Sequence, residues 1–168
     1  MDLDPGPFLL CPPGERPPKP RPIDTLDGLG DRMRTAAFAE YQAIIAFRWA
    51  ADFFQDVPGD LREAWTRQVE DENRHYGMIC RRMEELGITL TDRPVSTALW
   101  DSLKDCTEGQ EFCIRIASAE ERGRVAGEML AEYLTERDPA TAAIFQEIVA
   151  EEVGHVALAD TYFGWRPE

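Results

Sequence analysis

Apolar residues recur at helical spacing in four stretches of the chain. Between about Asp31 and Gln55 they fall at Met33, Ala37, Ile44, Phe47, Ala51 and Phe54, and Glu40 fills the step missing between Ala37 and Ile44. A carboxylate aimed into an apolar stripe is costly unless it is paired or metal-bound, so its position is informative. Pro58-Gly59 interrupts the pattern, and Asp60 with Glu63 three residues on reads as a capping-box start for a second helix that Gly87 stops. Its inward stripe is Leu61, Trp65, Gln68, Glu72, His75, Ile79 and Leu86. Residues 88–106 carry no helical period and are too long for a hairpin between neighbouring helices. Thr107 with Gln110 is placed to cap a third helix running to about Glu136, with the stripe Cys113, Ile116, Glu120, Gly123, Gly127, Leu130 and Leu134. Asp138-Pro139, an N-cap followed by proline, opens a fourth, whose stripe is Ile144 or Phe145, then Ile148, Glu152, His155, Ala159 and Tyr162.

The polar residues that interrupt these stripes form a repeated set. The chain has two histidines, His75 and His155, eighty positions apart, and each lies three residues after a glutamate, Glu72 and Glu152. Residues i and i+3 project from one face of a helix about one turn apart, so each pair can bind one ion. Glu40 and Glu120 lie at the same offset from each other. Two helices with a core Glu and two with a core Glu-x-x-His match the ligand inventory of dimetal bundles. Together with the long crossover between the second and third helices, this predicts an all-α, ferritin-like four-helix bundle. Four carboxylates and two imidazoles suit two iron ions, or manganese or a mixed pair, better than zinc. Glu72 and Glu152 are expected to bridge ions about 3.5–4 Å apart, with Glu40 and Glu120 terminal. The competing reading, two charged and solvated helix faces, fits one motif better than two in register with further core glutamates. Asp71 and Glu151, each four residues before a histidine, are candidate acceptors for its other ring nitrogen, against the plainer reading of surface acids. Tyr162 is a further candidate partner behind the ligands.

Composition narrows the setting. A length of 168 residues suits one domain, assigned to residues 23–168. Residues 1–22 hold eight of the twelve prolines and form an arm expected either to wrap the domain or to stay mobile. With 32 acidic against 18 basic residues and a formal charge of −14, extended contact with nucleic acid or an anionic membrane is disfavoured. Phe8-Leu9-Leu10-Cys11 lacks the basic flank and length of a signal segment, and no stretch approaches the roughly 20 apolar residues of a membrane helix. Four cysteines without a C-x-x-C pair read as reduced thiols, so a cytoplasmic protein is expected.

The phrases Glu40-Tyr41-Gln42-Ala43-Ile44, Asp71-Glu72-Asn73-Arg74-His75, Arg93-Pro94-Val95 with Trp100, and Glu152-Val153-Gly154-His155-Val156 resemble a bacterial family of ferritin-like proteins of unknown function. The resemblance implies a dimetal four-helix bundle and, more distantly, kinship with non-haem di-iron tRNA-hydroxylating monooxygenases. Glu120-Glu121-Arg122-Gly123 resembles the third-helix Glu-Ala-Arg-Gly/Ser phrase of such relatives, which favours Glu120 as a ligand and leaves Glu121 as a rival. The activity expected is an O2- or peroxide-dependent oxidase or oxygenase acting on a small molecule, supplied with electrons by an external donor. Gly123 and Gly127 suggest room for substrate or a close approach of helices. The alternative is iron or manganese storage, ferroxidation or metal handling, in which homo-oligomerisation would matter, and a third reading is a metal that only holds the bundle together.

Overall fold

The computed structural model describes residues 3–12 and 14–167; Met1, Asp2 and Pro13 of the arm and Glu168 of the domain lie outside them. Five helices follow in order: α1 (Leu26–Phe53), α2 (Gly59–Glu85), α3 (Ala98–Leu103), α4 (Gly109–Leu134) and α5 (Pro139–Phe163). The described residues contain no strand, only an isolated parallel bridge between Leu10 and Val95. The four long helices are those the apolar period marks, and α3 is a short additional helix inside the crossover. Among the described residues no helix is long and apolar enough to cross a membrane.

The ends of the helices follow partly from local chemistry. Gly87 takes a left-handed conformation, φ 70°, which lets Ile88 N–H donate to the Met83 carbonyl and close α2. Asp138 caps α5 by accepting from Thr141 N–H at 3.2 Å, with Pro139 next. The start of α4 differs from expectation. Its N-cap is Glu108, not Thr107, and the carboxylate that accepts from Gly109 N–H at 2.9 Å belongs to Asp56, between α1 and α2. A Cβ on Gly109 would stand 2.3 Å from Val57, so only glycine admits this approach. Asp60 likewise sits inside the first turn of α2 rather than at its cap.

The chain separates into two compact units. The first comprises Met1–Ala46 with Glu70–Lys104, the second Phe47–Val69 with Asp105–Glu168. In the first unit the proline-rich arm is docked. Phe8 is buried against Phe38, ring centroids 4.7 Å apart, and its neighbours pair with the crossover through Cys11 N–H to the Val95 carbonyl and Val95 N–H to the Leu9 carbonyl. Arg21, at the end of the arm, donates to Asp31 of α1 from its backbone and its guanidinium, and Arg34 and Arg93 donate to the same carboxylate. Gln42 ties the crossover to α1, donating to the Ser96 carbonyl and accepting from Trp100 N–H. In the second unit α4 packs on α5, and Phe112, Cys113, Ile116 and Leu130 of α4 with Phe145 and Ile148 of α5 are buried. Gly127 serves that contact, since a Cβ there would stand 3.0 Å from Val149. Gly123, expected on the same inward stripe, is exposed. No disulfide joins the four cysteines.

Burial acts to raise the Asp31 carboxyl, but the hydrogen bonds and charge of Arg21 with the bond from Arg93 outweigh it and hold the group well below its usual value of 3.8. Its stabilising share is therefore present above that usual value and is lost as pH falls through the lowered one. Asp31→Asn is expected to cost about 3 kcal/mol at pH 7, as breaking a buried ion pair does. Denaturant melts of both proteins at pH 7 and pH 3 check this, the gap between them narrowing at the lower pH.

Candidate metal centre

Glu40 sits in the middle of α1, Glu72 and His75 in the middle of α2, all in the first unit. The apolar residues flanking them, Met33, Ala37 and Ile44 on α1 and Trp65, Ile79 and Met83 on α2, are buried and turn the polar interruptions inward with them. His75 is fully buried and the Glu40 side chain only 14% exposed. His75 Nδ1 lies 3.7 Å from Glu40 Oε2 and 3.8 Å from Glu72 Oε2.

The second unit repeats the arrangement. Glu120 on α4 and Glu152 and His155 on α5 are side by side, with His155 Nδ1 3.3 Å from Glu120 Oε2 and 3.4 Å from Glu152 Oε2. Phe145, Ile148 and Ala159 are the buried neighbours on α5, which settles Phe145 over Ile144 for that stripe. The Phe47 ring stands edge-on to His155 at 6.4 Å.

Within each triad one ligand atom per residue lies within 4.8 Å of the others. Two atoms that each sit about 2.1 Å from one ion are separated by about 3 to 4.2 Å, from the cis to the trans arrangement. The separations of 3.3–3.8 Å fall inside that range. Each triad, two carboxylates and one imidazole, is thus a buried group that can hold a metal ion.

The remaining candidates separate from the triads. Glu121 makes two bonds to Arg124, at 2.8 and 2.9 Å, and the charge-assisted bonds lower its carboxyl from its usual value. Asp71 is half-exposed and accepts from Arg74. Glu151 is half-buried on α5. Tyr162 is set toward Asp60 at the start of α2; burial and that carboxylate raise its phenol. Two residues beside the triads carry signals that the stripes contained but motif spacing did not use. Cys113, two turns before Glu120 on α4, is buried, and its thiol is pushed up to about 12 by that burial. Gln68, one turn before Glu72 on α2, is buried as well.

Glu120→Ala is expected to remove one metal ion per chain, while Glu121→Ala leaves the content of wild type. Elemental analysis of the two variants after loading and desalting reads the difference, and equal loss from both would reverse the assignment.

No curated protein and no solved structure matches the chain. Residues 7–168, which take in both triads and most of the arm, match a family described as a protein of unknown function, DUF455. The chain therefore belongs to the DUF455 family.

Proposed function

We propose that this protein is a ferritin-like dimetal carboxylate protein that uses a pair of iron ions to oxidise or oxygenate a small molecule with O2 or peroxide. The observation that carries the proposal is the repetition of one triad, a helix-borne Glu with a Glu-x-x-His from another helix, buried both times. Glu40, Glu72 and His75 would hold one ion and Glu120, Glu152 and His155 the other. The four carboxylates bring four negative charges to a low-dielectric interior, and two divalent cations match them. Bound as ferrous ions, such a pair supplies the electrons that reduce O2 or peroxide.

The chain's own residues favour oxidative chemistry in a dry setting. Phe47 covers one side of His155 and is itself 6.2 Å from Phe112, so the aromatic wall keeps water from that imidazole. The sequence has no nucleotide- or flavin-binding fingerprint, so reducing equivalents come from a partner. The charge of −14 favours a small molecule over a nucleic acid as substrate, in spite of the distant resemblance to tRNA-hydroxylating enzymes.

Anaerobic loading with ferrous iron followed by a single pulse of O2 tests this reading. Wild type is expected to consume O2 within seconds in an amount fixed by its iron content, and His155→Ala to lose at least a hundredfold in that rate. O2 uptake no faster than that of free ferrous iron would reduce the metal to a structural part. Iron uptake that continues far beyond two ions per chain would favour storage.

A further inference from the structure

The inward row of α2 reads Leu61, Trp65, Gln68, Glu72, His75 and Ile79, every one buried. Gln68 is the neutral polar member of that row and is 4% exposed. Its Oε1 has no hydrogen-bond partner among the described residues. It stands four residues before Glu72, so the two side chains project from the same face one turn apart.

Trp65, one turn before Gln68, is edge-on to Phe112 at 5.2 Å, and the ring contacts continue from Phe112 through Phe47 to His155. The indole N–H of Trp65 faces the Cys113 sulfur without reaching hydrogen-bond geometry, and that thiol stays neutral because burial raises it to about 12. A buried carbonyl is destabilising unless something donates to it, and buried side-chain acceptors of this kind are ordinarily satisfied by water or a bound group where protein does not reach them. Gln68 lies on the same helix face as the candidate ligand Glu72, one turn away.

We propose that Gln68 is a positioning residue of the metal centre, its amide oxygen accepting a hydrogen bond from an O–H donor, water in the simplest case, held by an ion at Glu72. The inference rests on the metal reading above and adds a residue to it. In this role Gln68 fixes the side of the ion on which the donor sits, as outer hydrogen-bond partners of metal sites do, and it strengthens metal binding in doing so.

Two substitutions test it. Gln68→Met keeps the length and volume of the side chain and removes the acceptor; Gln68→Glu keeps an oxygen in its place. Manganese(II) affinity is measured by competition with a chelator, with no organic substrate present, and thermal melts are recorded for metal-free and loaded protein. Gln68→Met is expected to melt above wild type when metal-free, because an unsatisfied acceptor has gone, yet to bind manganese about 10–100-fold more weakly. Gln68→Glu is expected to bind at least as tightly as wild type. A loss below tenfold in Gln68→Met overturns the proposal, as does an equal loss in Gln68→Glu. Failure of Gln68→Met to fold, or a lower metal-free melting temperature, overturns it too, since the amide would then be satisfied by protein. Wild type that binds no manganese is a different result: it removes the metal reading and this inference with it.

Discussion

Carboxylates buried beside imidazoles in the apolar faces of helices are the constraint on which the rest of this protein depends. Each unit carries one such triad, and in each the Glu and Glu-x-x-His residues occupy steps that leucine or alanine would fill in an ordinary bundle. Ionised groups at those steps are tolerated only if an opposite charge accompanies them. The hydrophobic residues on either side, fully buried at Met33, Ala37, Trp65 and Ile79, hold the glutamates on the inward faces of their helices. Stability and the capacity to hold a metal ion are in this way properties of the same residues.

Much of this was legible in the sequence because helical periodicity is local. A period of 3.6 sorts Glu120 from Glu121, since one falls on the apolar stripe and the other beside it, where Arg124 meets it. The same local logic marks Gly87 as a helix stop and Asp138-Pro139 as a start. What escaped the reading depends on residues distant in the chain. The cap of α4 comes from Asp56, fifty-three positions earlier, while the local Thr107 does not serve. The proline-rich arm has no period to read, yet Phe8 supplies a core side chain and Leu9 to Cys11 pair with Val95. Gly123 fits the spacing of an inward residue but, having no side chain, gives no hydrophobic signal to place it, and it faces solvent.

The arm and crossover are organised by charge as much as by packing. Asp31 gathers Arg21, Arg34 and Arg93 from the arm, α1 and the crossover, and Gln42 holds Trp100 at the start of α3. Glu40 and Gln42 stand two residues apart on α1, so the helix that supplies a candidate ligand is also the one that anchors the crossover. The Arg93-Pro94-Val95 phrase that carries part of the family resemblance thus has a structural task, distinct from the candidate chemistry of the triads.

The central claim is that each of the two triads is a metal-binding group. Diffraction from crystals grown with ferrous iron under anaerobic conditions, with anomalous data at the iron edge, tests it most directly. The account predicts two peaks per chain, one beside His75 and Glu40 and one beside His155 and Glu120. A single peak, or no peak beside either histidine, would contradict it.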